Sequence, residues 1–437
     1  MPTSPPRAWA DLTGRRVGVW GVGVEGVAIL ARLNQLGVDP VVVDDAPRGP
    51  VAGHEVTAIS RGGLGQLMSC EIVVKSPGVS RYRDEVLALE AAGIEVVGGM
   101  GLTLEELDRR QVAAITGTKG KSTTTHVVGH LLHQLGRRFN IGGNLGDPPY
   151  DPAARAGGEG LVLELSSFHV TDLWHGPRVV ALTSLGVDHV DWHGSEERYQ
   201  GDKLALATLP GVEVVLIPEA DEELGGRLRA LGVEAVAVRA EAGGLTEALG
   251  LAGGHNRANV GLALAVVEAL TGSRVDTSQV DELAAGYQAL PGRSVQIAEV
   301  DGVAFIDDSL ATNVLPTLAA LEGLKGRRVA LLIGGYDRGV DYAPLAEAIA
   351  ARTDGTLVLT LPESGARIGA LVAERSHEVV VEDHQDLAAA VTAAFAWARN
   401  GGGVVLLSPA APSFSQFTNW LHRSEAFAAA VAVATSR

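Results

Sequence analysis

The sequence predicts an α/β protein with three domains, in which helices pack against mainly parallel sheets. At ~150 residues per domain, the chain of 437 residues corresponds to about three domains. Short valine-rich runs alternate with alanine- and leucine-rich stretches through most of the chain, as in repeated βαβ units. Glycine-rich turns follow two of the predicted strands, and a third series of strands begins after Pro291. We therefore predict domains at residues 1–108, 109–290 and 291–437.

The composition restricts the partners and the compartment of the protein. Hydrophobic residues make up 46% and charged residues 20%, which is typical of a folded globular chain. The net charge of -17 opposes non-specific attraction to nucleic acid and to anionic membranes, so we expect neither as a partner. The single cysteine, Cys70, excludes an internal disulfide and a multi-cysteine metal site. Apolar runs are shorter than the ~18 residues of a membrane helix, and residues 1–10 lack the features of a signal peptide. These features predict a cytoplasmic protein.

The first strand–turn–helix unit carries a dinucleotide-binding pattern. Residues 16–20 predict a strand, Gly21-x-Gly-x-x-Gly26 a turn into a helix, and residues 41–43 the next strand. The glycines let the backbone approach a phosphate at the positive end of the helix, and Asp44 is placed to accept a ribose hydroxyl. Taken alone, this pattern suggests NAD. The alternative is that the glycines only form a tight turn.

The second glycine-rich turn, Thr116-Gly-Thr-Lys-Gly-Lys-Ser-Thr123, predicts an ATP-binding loop. It follows a valine- and alanine-containing strand and opens a helix, so its successive amides can surround phosphates. Lys121 can reach the β- and γ-phosphates, and Ser122 or Thr123 can offer a hydroxyl to Mg²⁺. A full motif has glycine at position 115, where this chain has Ile115, so the loop is a shortened variant. The alternative is an ordinary surface turn.

Two side chains are candidate partners of a Mg²⁺ ion at this loop. Glu164 ends the predicted strand 161–163, and His189 follows the predicted strand 179–185. Alone, the glutamate indicates a solvated strand end and the histidine an ordinary core or surface residue. Because the carboxyl ends of parallel strands meet at one edge of a sheet, both are expected beside the phosphate loop, which favours a metal site.

The last third of the chain predicts another α/β domain. Residues 294–307 indicate a hairpin that turns on Asp301-Gly302, and strands are predicted at 328–333, 356–360 and 403–408.

As an ordered set, these motifs and several later ones resemble the Mur ligases of bacterial cell-wall synthesis, specifically the glutamate-adding type. The markers span essentially the whole chain and are residues 116–123, 164–168, 188–193, 199–203, 255–259, 290–293, 307–313 and 407–410. The resemblance implies a Rossmann-like N-terminal domain for a UDP-muramoyl substrate, a central P-loop-type ATPase domain and a Rossmann-like C-terminal domain for the incoming amino acid. It also implies an ATP-dependent ligase that joins glutamate to UDP-N-acetylmuramoyl-L-alanine through an acyl phosphate, in peptidoglycan precursor synthesis.

The resemblance assigns roles to individual residues. The implied catalytic residues are Lys121, Glu164, His189 and Lys203. The implied ATP-binding residues are Gly117, Thr118, Lys119, Gly120, Lys121, Ser122, Thr123, Asn256, Asn259, Arg293 and Asp308. The implied UDP-substrate side is formed by Gly23, Val24, Glu25, Gly26, Asp44, Ser76, Pro77, Gly78 and Asn144. The implied glutamate site is formed by Thr312, Arg338, Ser413 and Phe414. Two Mg²⁺ ions are implied, with the ligands Ser122, Glu164, His189 and Lys203, the last carrying a carbamate derived from CO₂.

Several positions depart from the usual pattern of the glutamate-adding type. Leu310 stands where that type has a lysine, and His169 stands where glutamine is common. Residues 408–413 read Ser-Pro-Ala-Ala-Pro-Ser instead of Ser-Pro-Ala-Cys-Ala-Ser, while Arg338 remains as a cation for the side-chain carboxylate of glutamate. The departures resemble a less common branch that adds L-glutamate and relies on a separate epimerase. They favour L-glutamate, with D-glutamate, the family default, as the alternative.

Two further alternatives are another Mur ligase type and a different class of enzyme. A Mur ligase that adds another amino acid is disfavoured by the short N-terminal domain and by the 308–313 and 408–414 regions. An NAD-dependent oxidoreductase leaves the second glycine-rich loop and Glu164 unexplained.

Overall fold

The computed structural model describes residues 8–47, 49–152, 154, 158–186, 188, 190–251, 253–337, 340–413 and 416–436. The chain divides into two compact units, Met1–Tyr287 and Gln288–Arg437. The described residues form three β-sheets, two in the first unit and one in the second. This arrangement confirms the predicted α/β class, while the division into three domains stays a prediction.

The first sheet is parallel. Its strands are β1 (Val17–Trp20), β2 (Val41–Asp44), β3 (Val56–Ala58), β4 (Ile72–Lys75) and β5 (Glu95–Gly98). Its helices are α1 (Val24–Gln35), α2 (Gly63–Leu67), α3 (Asp84–Ala91) and α4 (Gly99–Glu106). The strand order is β3-β2-β1-β4-β5, so the direction of winding reverses between β1 and β4. Open α/β sheets bind ligands at the carboxyl ends of the strands at such a reversal.

The second sheet is also parallel. Its strands are β6 (Val112–Thr116), β7 (Phe139–Gly143), β8 (Gly160–Glu164), β9 (Val179–Leu182), β10 (Val214–Pro218) and β11 (Val236–Val238). The helices of this part are α5 (Lys121–Gln134), α6 (Ser167–Val170), α7 (Val190–His193), α8 (Glu196–Ala205), α9 (Glu222–Ala230), α10 (Leu245–Ala248), α11 (Gly254–Thr271) and α12 (Val280–Ala284). The strand order is β11-β10-β9-β6-β8-β7, so β6 lies between β9 and β8.

Strand β9 ends three residues earlier than the sequence predicts. The predicted strand continues to Leu185, but the backbone beyond Leu182 no longer follows the sheet. Instead, the Thr183 amide donates to the Thr116 carbonyl at 2.9 Å, and the Ser184 carbonyl accepts from the Thr118 amide at 2.9 Å. The chain therefore leaves the sheet to support the phosphate loop.

The third sheet belongs to the second unit. Its strands are β12 (Val295–Val300), β13 (Val303–Asp307), β14 (Val329–Gly335), β15 (Thr356–Glu363), β16 (Val380–Asp383) and β17 (Gly403–Leu407). Its helices are α13 (Val314–Gly323), α14 (Ala343–Ala350), α15 (Ser364–Arg375), α16 (Leu387–Ala398) and α17 (Trp420–Thr435). The order is β12-β13-β17-β14-β15-β16, with β12 antiparallel to β13 and the other pairs parallel. Asp301 and Gly302 have φ values of 53° and 73°, the left-handed pair of a type I′ turn, which confirms the predicted hairpin.

Apolar side chains fill both faces of the central and C-terminal sheets. In the central sheet, Ile115 of β6 packs with Val127 of α5 and Val266 of α11 on one face. In the C-terminal sheet, Phe305 of β13 contacts Phe395 of α16, with ring centroids 5.5 Å apart. This burial on both faces accounts for the near-continuous valine and leucine runs of the parallel strands. Among the helices of the described residues, none combines the length and the apolar composition that a membrane span requires.

Candidate active site

The phosphate loop joins β6 to α5 and depends on two glycines in left-handed conformations. Gly117 has φ +142° and Gly120 has φ +89°. A β-carbon on Gly117 would collide with the hydroxyl of Thr183. The Lys121 ammonium donates to the carbonyls of Gly117 at 2.9 Å and Thr118 at 3.2 Å, so it lies against the loop at the start of α5. A cation next to the amides of a helix N-terminus suits a polyphosphate.

Helix α11 brings two predicted nucleotide-binding residues to this loop. A β-carbon on Gly120 would collide with the amide oxygen of Asn259, which is buried. The Asn259 amide nitrogen donates to the side-chain oxygen of Asn256 at 3.3 Å. In the first turn of α5, Ser122 is buried and Thr123 half-buried. Ser122, Asn256 and Asn259 therefore lie together at the phosphate loop.

Glu164 ends β8 directly beside the phosphate loop and keeps one carboxylate oxygen unsatisfied. It is 1% exposed and pairs in register with Ile115 of β6. Its Oε1 accepts from the Asn144 side-chain amide at 3.3 Å, and its carbonyl accepts from the Asn144 backbone amide at 2.9 Å. Its Oε2 is buried and has no hydrogen-bond partner among the described residues. Since an uncompensated buried carboxylate is costly, this oxygen is suited to a cation or a further donor.

Lys203, on α8, reaches the same loop. Its side chain is 1% exposed, and its Nζ donates to the Gly117 carbonyl at 3.1 Å. Burial lowers the pKa of Lys203 well below its usual value, and the nearby positive charge of Lys121 lowers it further. Two ammonium groups that share one carbonyl repel each other, so this site favours a neutral amine at Lys203.

The predicted ligands of the metal site are of different chemical types. Within the part of the chain that the structure describes, no three His, Cys, Asp or Glu side chains form a cluster that could hold a metal. The predicted set contains the hydroxyl of Ser122, the carboxylate of Glu164 and the side chain of Lys203, together with His189. His189 lies outside the described residues. The unsatisfied Oε2 of Glu164 is the observation here that fits a cation.

A partly buried hydrogen-bond chain that the sequence did not indicate lies next to this site. The Ser167 hydroxyl is 2.9 Å from His193 Nε2, and His193 Nδ1 is 2.6 Å from an Asp202 oxygen. The other Asp202 oxygen accepts from the Tyr82 hydroxyl at 2.6 Å. Burial and the adjacent Asp202 raise the pKa of Tyr82, so its hydroxyl keeps its proton and acts as donor.

This hydrogen-bond chain joins the segments that carry the predicted metal ligands. Ser167 follows Glu164 by three residues, and Asp202 immediately precedes Lys203. His193 lies within the 188–193 marker, whereas nothing in the sequence singled out Tyr82. Tyr82 follows β4, so the hydrogen-bond chain also connects the first sheet to the central one.

A cavity of about 410 Å³ lies at the carboxyl ends of β1 and β4, where the strand order reverses. Eight of the nine residues predicted for the UDP-substrate side line it: Gly23, Val24, Glu25, Asp44, Ser76, Pro77, Gly78 and Asn144. The ninth, Gly26, lies against Gly21, where a β-carbon would collide with the carbonyl. The lining residues that the prediction missed are Trp20, Gly21, Asp45, Val79, Ser166, Phe168 and His169.

Asp44 ties the first glycine-rich turn to the end of β2. One of its oxygens accepts from the Val22 amide and the other from the Ala46 amide, both at 2.9 Å. The Ser76 hydroxyl donates to the Gly21 carbonyl at 2.7 Å, which holds the turn from the β4 side. Each carboxylate oxygen has a second lone pair, so the ribose contact predicted for Asp44 is still compatible with these bonds.

Glu25 is held by two side chains from the central part of the first unit. Its carboxylate accepts from the Tyr150 hydroxyl and lies 2.7 Å from His169 Nε2. The Ser166 amide donates to His169 Nδ1 at 3.2 Å, so Nδ1 presents a lone pair and Nε2 carries the hydrogen toward Glu25. The replacement of the common glutamine by His169 therefore belongs to this cavity wall.

In the second unit, the predicted residues gather around the end of β13. Asp308 accepts from the Ser294 amide at 3.1 Å and from the Ser408 hydroxyl at 2.7 Å. Burial raises the pKa of Asp308 to about 7, against the opposing effect of these hydrogen bonds and of Arg293. The Leu310 amide donates to the Gly292 carbonyl at 2.9 Å.

The predicted glutamate residues are described only in part. Thr312 is half-buried and its amide donates to the Leu310 carbonyl at 2.9 Å, while Ser413 is buried. Arg338 and Phe414 lie outside the described residues.

Comparison with known proteins gives concordant matches. The model of the Mur ligase middle domain matches residues 115–239, and that of the Mur ligase glutamate ligase domain matches residues 292–411. A protein of a Micromonospora species, named UDP-N-acetylmuramoyl-L-alanine–L-glutamate ligase, is 39% identical over 97% of both chains. Proteins of the same name from Salinispora tropica and Xanthomonas axonopodis are 37% and 36% identical, and each match covers at least 95% of both chains.

Solved structures share the fold at low sequence identity. UDP-N-acetylmuramate-alanine ligase MurC from Thermotoga maritima has a TM-score of 0.58 at 16% identity, over 97% of this chain and 100% of that one. MurF ligase from Thermotoga maritima, in complex with ADP, has a TM-score of 0.57 at 16% identity, over 98% of both chains.

Proposed function

Since the chain belongs to the Mur ligase family, we propose that it joins L-glutamate to the L-alanine carboxylate of UDP-N-acetylmuramoyl-L-alanine, with conversion of ATP to ADP and phosphate. Membership of this family makes it an ATP-dependent ligase that forms an amide bond. The observation that carries the choice of L-glutamate is the name shared by the near-full-length relatives. The departures at Leu310 and at residues 408–413 support the same choice.

The cavity between β1 and β4 is assigned to the UDP-muramoyl substrate. Its wall contains the start of α1, where Gly23 and Val24 present backbone amides at the positive end of the helix dipole. These amides would bind the diphosphate. Glu25 would otherwise repel it, but Tyr150 and His169 engage its carboxylate.

The phosphate loop is assigned to ATP. Lys121 would leave its carbonyl acceptors and pair with the β- and γ-phosphates, for which charge attraction far exceeds a hydrogen bond to a carbonyl. Asn256 and Asn259, held against the loop, would contact the nucleoside part.

Two Mg²⁺ ions would be held by Ser122, Glu164, His189 and Lys203. When bound, they reduce the repulsion between ATP and the substrate carboxylate and stabilise the charge on the transferred phosphoryl group. Glu164 is suited to this role because its Oε2 is buried and unsatisfied within the described residues.

Lys203 would act as a carbamate. Its buried amine, whose pKa is lowered, supplies the lone pair that attacks CO₂, and one proton is released as the N–C bond forms. The product is an anion beside Lys121, so carbamate formation adds a charge attraction that the neutral amine lacks.

The reaction follows from the chemistry of a carboxylate, which is a poor acyl donor. Its oxygen attacks the γ-phosphorus of ATP, the bond to ADP breaks, and an acyl phosphate forms. The amino group of glutamate then attacks the acyl carbon, loses a proton, and phosphate departs. Lys121 would stabilise the charge of the transferred phosphoryl group in the first step.

The amino acid would be bound by Thr312, Arg338, Ser413 and Phe414, with Arg338 opposite the side-chain carboxylate. Product containing L-glutamate would require a separate epimerase to restore the D-configuration. A reaction that consumes ATP and a UDP-linked precursor belongs in the cytoplasm, where we place the protein.

The test is phosphate release with UDP-N-acetylmuramoyl-L-alanine, ATP and Mg²⁺ against pure L-glutamate, D-glutamate and a panel of other amino acids. We expect turnover with L-glutamate and a product mass increased by one glutamyl residue. Preference for D-glutamate would overturn the assignment of the L-enantiomer. Turnover only with another amino acid would overturn the glutamate assignment. UDP-N-acetylmuramate, which lacks the L-alanine, is the matched control and is expected to be inactive.

A further inference from the structure

Arg423 is a buried arginine that bridges two loops of the second unit. It lies in the first turn of α17 and is 1% exposed. Its Nη1 donates to the Ala411 carbonyl at 3.0 Å, and its Nη2 donates to the Ser309 carbonyl at 2.7 Å. These two carbonyls follow β17 and β13, which are neighbours in the sheet.

The same guanidinium lies against the end of a third strand. Gly335 ends β14 with φ +153°, and a β-carbon there would come within 3.3 Å of Arg423 Nη1. The Tyr336 amide donates to the Pro412 carbonyl at 2.9 Å and joins this strand end to the β17 loop. Arg423 therefore contacts the carboxyl ends of three adjacent parallel strands, the edge at which open α/β sheets bind ligands.

The charge of Arg423 is poorly balanced. Its hydrogen-bond acceptors are neutral carbonyls, and no carboxylate of the described residues forms an ion pair with it. Its Nε is buried and finds no partner in the described part of the chain. Burial lowers the pKa of Arg423 to about 10, while the charges of Asp307 and Asp308 oppose this effect from a greater distance.

Those two aspartates are engaged elsewhere. The Asp307 carboxylate accepts from the Ser309 amide at 3.0 Å and from the hydroxyls of Ser309 and Ser424. The Asp308 carboxylate accepts from Ser294 and Ser408. Because neither carboxylate forms an ion pair with the guanidinium, the Arg423 charge can still attract an anion placed at this strand edge.

The two bridged loops are those of the proposed amino-acid site. Leu310 follows Ser309 directly, and Ser413 lies two residues beyond Ala411. We propose, on the basis of the proposed function, that Arg423 is a positioning residue for glutamate: its guanidinium sets the spacing of these loops, and its positive charge attracts a glutamate carboxylate. It thus supplies the positive charge that Leu310 does not.

The experiment compares Arg423→Gln and Arg423→Lys with the parent enzyme, using Arg399→Gln, an exposed arginine of the same unit, as the control. Phosphate release is measured while L-glutamate, ATP and UDP-N-acetylmuramoyl-L-alanine are varied in turn. We expect Arg423→Gln to raise the KM for glutamate by about tenfold or more, because an ionic hydrogen-bonded group is lost. Arg423→Lys, which retains the charge, is expected to lie between this variant and the parent. The KM values for ATP and the UDP substrate should stay close to those of the parent.

An unchanged KM for glutamate in Arg423→Gln would overturn the inference, as would an equal rise in all three KM values. If the glutamine variant does not fold, as judged by thermal unfolding, Arg423→Lys decides: a rise confined to the KM for glutamate supports the inference, and no rise overturns it. Failure of the parent to use glutamate would instead overturn the proposed function, so the two failures are distinguishable.

Discussion

At Lys203, burial of the side chain opposes the positive charge that a lysine normally carries. An exposed lysine is protonated at neutral pH, but Lys203 is 1% exposed and close to Lys121, so its pKa is lowered. A neutral amine in this position is costly for a purely structural residue and useful for one that reacts with CO₂. Lys121 differs from Lys203 in its burial. Its side chain is only half-buried, and its ammonium donates to loop carbonyls.

We predict that Lys203→Arg is nearly inactive although it retains a positive charge, because a guanidinium does not form the carbamate. A loss of at least about 100-fold is expected, the size seen when a metal site loses an organising group. Steady-state phosphate release is the measurement, with the exposed Lys325→Arg as the control. In addition, the parent should lose activity in CO₂-depleted buffer and regain it with bicarbonate. Parent-like activity in Lys203→Arg would refute the carbamate.

We predict that Lys121→Ala abolishes turnover and leaves the fold nearly intact, because Lys121 contacts loop carbonyls and fills no apolar core. Loss of a charge that stabilises the transferred phosphoryl group should lower kcat by about 10³-fold. Circular dichroism and thermal unfolding would monitor the fold, and Lys325→Ala is the exposed control. Near-normal phosphate release would contradict the assignment of the loop to ATP.

We predict a pH-dependent stability effect for Asp308→Asn. Burial raises the pKa of Asp308 from 3.8 in the unfolded chain to about 7, so the native state binds the extra proton between these values. Native stability due to this group therefore falls as the pH rises from about 4 to about 7, and stays low above pH 7. Asparagine has no charge to bury, so the variant should gain about 1–3 kcal/mol relative to the parent between pH 5 and pH 8. Urea unfolding at these two pH values is the measurement, and equal differences at both would contradict the shift.

At the scale of elements, parallel strands bring distant motifs to one edge. Strand β6 leads into the phosphate loop, β8 ends in Glu164, and the chain after β9 supports the loop through Thr183. The register pairs Ile115 of β6 with Glu164 of β8. The meeting of these motifs is thus a consequence of strand order. The hydrogen-bond chain of Ser167, His193, Asp202 and Tyr82 then fixes the segments between the strands.

We predict that Tyr82→Phe raises the Mg²⁺ concentration needed for half-maximal activity by about 3- to 10-fold, because Asp202 loses a donor beside Lys203 and the metal-binding segments loosen. Tyr287→Phe is the matched control, since Tyr287 is half-buried like Tyr82 and burial raises its pKa to about 12. Mg²⁺-dependent thermal stabilisation in the presence of ATP is a second readout. If the Mg²⁺ requirement is unchanged by both readouts, the hydrogen-bond chain does not position the metal-binding residues.

At the scale of the whole molecule, the two compact units divide the predicted binding residues. The first unit contains the cavity and the phosphate loop, and the second contains Arg423 and the residues around β13. Each unit has its own sheet edge at which a ligand can bind.

We predict that UDP-N-acetylmuramoyl-L-alanine protects only the first unit from hydrogen exchange, mainly in the segments that line the cavity. At 100 times its Kd, a ligand adds about 2.7 kcal/mol to the stability of the state that binds it. Hydrogen-exchange mass spectrometry of the full chain is the measurement, and NADH is the control ligand. Protection by NADH, or protection confined to the sheet of the second unit, would contradict the assignment of the cavity.

Features that depend on neighbouring residues could be predicted from the amino-acid order alone. The strand–loop–helix at Lys121 and the hairpin at Asp301-Gly302 could be predicted because glycine geometry and apolar runs act locally. The hydrogen bond between Tyr82 and Asp202 and the bridge that Arg423 makes between two loops arise only in the folded chain. These contacts link residues far apart in the chain, and a hydrogen bond depends on the final positions of both partners, which no local pattern contains.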